Sequence, residues 1–123
     1  MVKVLLVLLA ISVVSCATAG KPPRRDALIG KWRSANGPQV GEYRFLPNGT
    51  FTGSVTSGGG LLAKFTGRWA LREGAIAYEY LTDATGNIPP GTKDQDKLVA
   101  ISADNYTIQA ADGSRRNYVR VGE

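Results

Sequence analysis

The chain of 123 residues holds one cysteine, Cys16, and no histidine. Those two facts bound its chemistry. An internal disulfide needs two thiols. A Ser-His-Asp triad, an imidazole metal site and a histidine general base each need a side chain that the sequence lacks. Asp83, Asp94 and Asp96 gather around one polar stretch, but Lys93 and Lys97 are interleaved with them and the order is not that of an EF-hand. A solvated charged loop is expected there, with no metal. Gly58-Gly59-Gly60 lacks the following Lys-Ser/Thr and helix of a phosphate loop, so it reads as a flexible hairpin. Arg115, Arg116 and Arg120 make the closing segment basic. The plain reading is a charge-guarded strand edge; the sharper one is a contact for an anionic partner or headgroup. No nucleophile, base and orienter come together. No catalytic residue is assigned, and neither enzyme activity nor a cofactor is expected.

The thiol itself has a specific context. Lys3 precedes an apolar run from Val4 to Val14, the charge-then-apolar order of a secretory signal-peptide helix. The run is shorter than the roughly 20 residues that span a bilayer. Val13-Val14-Ser15-Cys16 resembles the bacterial lipobox, with Val13 where Leu is usual. The resemblance implies removal of residues 1–15, lipid on the Cys16 thiol and acylation of the new amino group. Two or more acyl chains give stable anchoring, whereas one holds only weakly, at about 0.8 kcal/mol per buried CH₂. Thr18-Ala19 and Gly20 also permit ordinary cleavage, which would leave a plain secreted protein. Ala17 stands where an inner-membrane lipoprotein would carry Asp. The sorting rule therefore points to a lipid-anchored protein of the cell envelope, on the outer membrane and facing the periplasm. Residues 16–27, with Gly20, Pro22 and Pro23, read as a flexible tether. Lys21, Arg24 and Arg25 within it are either solvated or in touch with anionic headgroups.

The formal charge of +5 shrinks once the leader and tether are set aside. From Leu28 onward there are 11 basic and 9 acidic residues, a net +2. No basic stripe remains to mark a nucleic-acid partner.

Residues 28–123 alternate apolar and polar with period two, broken by turn signals. Strands are expected at Leu28–Ser34, Val40–Leu46, Thr50–Thr56, about Leu62–Leu71, Ala75–Leu81, Lys97–Ala103, Tyr106–Ala110 and Ser114–Val121. Pro47-Asn48-Gly49 and Asp112-Gly113 mark turns that need positive φ. Thr82 to Gln95 is the longest loop expected, and no helix is expected after the leader. Strands that are apolar on one face and charged on the other suit an antiparallel meander. Closing about eight of them removes the exposed edges. The predicted fold is all-β, a small antiparallel up-and-down barrel, with a two-sheet sandwich as the second choice.

Certain segments also carry a family pattern: Leu28-Ile29-Gly30-Lys31-Trp32, Tyr43-Arg44-Phe45 with Asn48-Gly49-Thr50-Phe51, Phe65-Thr66-Gly67-Arg68-Trp69, and Tyr118-Val119-Arg120-Val121. Together they resemble the small bacterial lipocalin-like domains, across nearly the whole mature chain. The resemblance implies a compact antiparallel barrel. The chain departs from full-sized lipocalins in being shorter and in lacking their C-terminal helix.

Two functional readings follow. In the first, the barrel binds a small apolar or amphipathic ligand through Trp32, Phe45, Phe51, Trp69, Tyr78 and Tyr80. In the second, aromatic side chains fill the barrel and the protein, expected to be a monomer, works through its surface. It would then be an envelope assembly factor or an inhibitor of a periplasmic enzyme.

Overall fold

A computed structural model describes residues 25–122. The leader, Cys16 and most of the tether lie outside the described residues.

Eight strands follow one another: β1 (Gly30–Asn36), β2 (Gln39–Phe45), β3 (Thr50–Ser57), β4 (Gly60–Arg72), β5 (Ala75–Asp83), β6 (Lys93–Ile101), β7 (Asn105–Gln109) and β8 (Arg115–Val121). Each pairs antiparallel with the next, and β8 returns to β1 to close the barrel. The up-and-down barrel is therefore the architecture, and the sandwich is set aside. Along β4 the burial alternates strictly, with Ala63, Phe65, Gly67 and Trp69 inside and Lys64, Thr66 and Arg68 outside. This is the period-two pattern of the sequence turned into an inner and an outer wall.

The loop after β5 is shorter than the alternation suggested. β5 runs on to Asp83, and β6 starts at Lys93, so the connection spans only residues 84–92. Gln95, Asp94 and Lys93 pair with Ala77, Tyr78 and Glu79. Their side chains face solvent, so hydrophobicity carries no trace of the strand that their backbone forms.

A one-turn helix, α1 (Arg25–Leu28), precedes β1, where none was expected. Side-chain anchors hold it rather than helix propensity, since one turn is far too short to be stable alone. Trp32 Nε1 donates to Leu28 O at 2.9 Å, and Leu28 is fully buried. Arg120, near the other end of the chain, donates from Nη2 to Ala27 O, from Nη1 to Ile29 O and from Nε to Ala103 O, at 2.7–2.9 Å. Its guanidinium lies 4.2 Å from the centroid of the Trp32 ring. Arg25 repeats the arrangement, 4.7 Å from Trp69, while donating to Pro47 O. Both tryptophans thus plug one end of the barrel, and each has an arginine as its outer cover.

Two glycines make this packing feasible. Gly30 has φ +132°, and a Cβ there would fall on Arg120 Nη1. At Gly67 a Cβ would meet the Glu79 carbonyl oxygen and the Phe51 ring. Gly67 also sits at a register shift against β5, where the wall turns.

Arg120→Lys keeps the charge but loses the planar fork that reaches three carbonyls. The expected loss is about 2–3 kcal/mol, from charge-assisted hydrogen bonds that an ammonium cannot replace together. Chemical denaturation of the two proteins checks this, and an unchanged midpoint would contradict it.

Candidate functional site

The two tryptophans, five tyrosines and three phenylalanines of the chain all turn inward and meet one another. Trp32 meets Tyr106 edge-on at 4.8 Å between centroids, and Tyr106 stacks on Tyr118 at 4.8 Å. Phe45 and Trp69 lie 5.0 Å apart, and Phe65 and Tyr80 5.2 Å apart. Such tilted and edge-to-face contacts are the favourable geometries for rings. Trp32, Phe45, Phe51, Trp69, Tyr78 and Tyr80, the six expected to face a ligand, are all buried in this one cluster. They pack on each other and on Tyr106, Tyr118 and Ile108. Tyr106 and Tyr118 were not assigned to the core by sequence, although Tyr106 alternates correctly with Ile108.

At the end away from the tryptophan plugs the interior turns polar. Ser34, Asn36, Gln39, Gly41, Tyr43, Val55, Arg116 and Tyr118 surround a cavity of about 50 Å³. That holds a few waters and falls well short of the roughly 300 Å³ at which ligand sites begin. None of the six expected ligand contacts lines it.

Around this mouth the tyrosine hydroxyls form a connected set. The Tyr43 hydroxyl neighbours those of Tyr80 and Tyr118, the Tyr78 hydroxyl neighbours Asp96, and Arg116 Nη1 donates to Tyr118 Oη at 3.5 Å. Burial, then the neighbouring hydroxyls and Asp96, raises Tyr43 well above 10, and Tyr78 and Tyr106 likewise. Burial and then Asp94 push Tyr80 up to about 12. Burial also raises Tyr118, against the pull of Arg116. Desolvation and Asp94 raise Asp96. The cluster favours the neutral form of the tyrosines and of Asp96, while the Tyr118 hydroxyl favours the charge on Arg116, and no nucleophile and base come together.

Asp83 has a different task. Its Oδ1 accepts from Lys64 N, Thr85 N and Thr85 Oγ1, and its Oδ2 from Asn87 N and Ile88 N, at 2.7–3.2 Å. Desolvation works upward on this carboxyl, but the hydrogen bonds outweigh it and hold it at about 2. The carboxylate folds loop 84–92 back, and Ile88 comes to rest against the core. Among the described residues no three His, Cys, Asp or Glu side chains are placed to hold a metal ion.

Two larger concavities lie on the wall. One, about 590 Å³, crosses the outer face of β1 to β5 along the aligned Lys31, Arg44, Thr52, Thr66 and Thr82. Tyr43, Gly53 and Phe65 lie beneath it, the two rings turned into the lumen. The other, about 810 Å³, lies at the junction of β1 and β8.

With this geometry in hand, comparison with solved structures is informative. A lipocalin-like protein from Bacteroides uniformis ATCC 8492 superposes with a TM-score of 0.58 over 77% of this chain and 99% of its own, at 21% identity. The fold is lipocalin-like. No family model matches the sequence, and no curated protein does. The lipocalin-like barrel here spends its lumen on its own rings, and its open features are on the wall and at the mouth.

Asp83→Ala should release loop 84–92. Amide exchange at Lys64, Thr85, Asn87 and Ile88 is expected to rise steeply, while β1 to β3 keep their protection. The wild type should loosen at the same amides as pH falls from about 4 towards 2. A carboxyl depressed by folding contributes above its unfolded value of 3.8 and loses that contribution as it protonates. Exchange unaltered in Asp83→Ala would refute the role.

Proposed function

We infer that this protein is a lipid-anchored envelope lipoprotein whose lipocalin-like barrel is a solid scaffold, acting on a partner through its wall and mouth. The observation that carries the reading is the interior. Ten aromatic side chains pack against one another, and the cavity at their mouth measures about 50 Å³, too small for a fatty acid or similar guest. The leader and the Val13-Val14-Ser15-Cys16 segment support the anchor, since they supply an export signal and one thiol for lipid. The absence of histidine and the neutral hydroxyl cluster favour interaction over catalysis. A second reading rests on the outer groove: at about 590 Å³, it has the size for an amphipathic ligand lying against the wall.

One set of measurements on the full-length protein tests this. Fatty acids, phospholipids and aromatic compounds should leave the emission of Trp32 and Trp69 unchanged, since both indoles are buried among side chains. Cys16→Ser should appear in soluble or uncleaved form, while the wild type sediments with membranes. A guest that shifts the tryptophan emission would overturn the solid barrel. Unchanged membrane retention and processing of Cys16→Ser would overturn the anchor.

A further inference from the structure

The barrel closes through its weakest ladder. β1 and β8 share three pairs, Lys31 with Val121, Trp32 with Arg120 and Arg33 with Val119. The same register would next pair Ser34 with Tyr118, Ala35 with Asn117 and Asn36 with Arg116, yet the ladder stops. Elsewhere β1 stays paired with β2 up to Asn36, and β8 with β7 back to Arg115. The two strands therefore part at the mouth, each held on one side only.

The direction of the free backbone groups follows from one hydrogen bond. Arg120 N donates to Asp104 O, so the backbone of Arg120 faces β7. Alternation then turns Val119, Asn117 and Arg115 towards β1. Val119 exchanges its bonds with Arg33, and two residues on, Ala35 faces the same gap from the β1 side. The N–H and C=O groups of Ala35, Asn117 and Arg115 thus line an opening with no strand to receive them.

The side chains around the gap share one sign. The cleft of about 810 Å³ is lined by Arg33, Arg115, Arg116 and Arg120, and no carboxylate lines it. Arg33 is committed to Glu42, and Arg120 to its three carbonyls. Arg115 makes no ion pair among the described residues, while Arg116 donates to the Tyr118 hydroxyl at 3.5 Å and is drawn to Asp96 across the mouth. Val119, half exposed beside them, offers an apolar step. A charged residue on a strand edge ordinarily guards against unwanted pairing. Here two such edges face each other across a gap wide enough to be a cleft, and Arg115, with no ion pair, sits on its rim beside Arg116.

We propose that the β1–β8 seam is a docking site for a short acidic extended segment of another polypeptide, which adds a strand against Ala35, Asn117 and Arg115 while its carboxylates meet Arg115 and Arg116. Main-chain hydrogen bonds would supply the common affinity, and the arginines would select the charge. The inference rests on the interaction reading of the barrel and names the surface it uses.

The test uses the full-length protein and a blocked peptide of alternating Glu and Val. Controls are its Lys/Val counterpart, a Glu/Pro version that cannot donate a ladder of N–H groups, and inorganic phosphate. Amide exchange by NMR is the readout. The Glu/Val peptide should slow exchange at Ala35, Arg115 and Asn117, with affinity falling as salt rises. The Lys/Val and Glu/Pro peptides should not. Arg115→Glu, at an exposed site, should weaken the peptide about tenfold or more by replacing attraction with repulsion. Ala35→Pro removes a seam donor without taking a bond from β2, and should weaken it as well.

No protection by any peptide would overturn the proposal. So would phosphate matching the Glu/Val effect on the arginines without amide protection, which marks an anion site instead. Because exclusion of apolar guests is measured separately, failure here with the tryptophan emission still silent would remove the seam and leave the solid barrel standing.

Discussion

An eight-stranded barrel has a lumen about as wide as two layers of side chains, and in this protein aromatic rings occupy it. Most of the structure follows from that packing. The rings need backbone close behind them, which is why Gly67 has no Cβ against the Glu79 carbonyl and the Phe51 ring. They need covers at the end, which Arg25 and Arg120 provide over Trp69 and Trp32. Their hydroxyls need partners, which they find at the mouth in one another, in Asp96 and in Arg116. Among the described residues no buried side-chain polar atom lacks a hydrogen bond. A polar mouth on an aromatic body is thus the cheapest arrangement for five tyrosines in one lumen.

The same packing leaves the open surfaces on the outside. A lipocalin-like shell with a filled lumen presents its loops, wall and seam as the surfaces open to a partner. Loop 84–92 is held by the Asp83 carboxylate, by Asn87 Nδ2 donating to Leu62 O and by Gly91 N donating to Tyr80 O, and so has a defined shape despite its two glycines and two prolines. The β1–β8 seam remains open because the closing ladder ends at Arg33 and Val119.

The barrel was legible in the sequence because one-sided strands print a period of two. Trp32, Phe65 and Trp69 announced the inner wall, and Asn48-Gly49 announced its turn. Legibility failed where side chains and backbone part company. Lys93 to Gln95 form strand through main-chain pairing while their side chains face water. α1 is held by Arg120, some 90 residues away, so no local signal marks it. Tyr106 and Tyr118 belong to the core by stacking on each other across β7 and β8. The free volume of the lumen depends on how ten rings interlock, and composition alone does not state it. The split between β1 and β8 depends on register between the two ends of the chain, which local pattern cannot carry. Nothing in the described residues bears on Cys16, whose reading stays with the leader around it.

The most direct test of the filled lumen is a spectrophotometric titration of tyrosinate, because all five tyrosines of the chain lie within it. Each hydroxyl is raised by burial above its ordinary 10. The folded protein therefore holds protons that the unfolded chain releases. Stability is complete below about pH 10 and declines as pH rises towards the folded values. Little tyrosinate absorbance is expected at pH 10 to 11, then a steep rise that coincides with loss of the near-UV circular dichroism. Smooth titration of several tyrosines near pH 10, with the fold intact, would show a lumen open to water and contradict it.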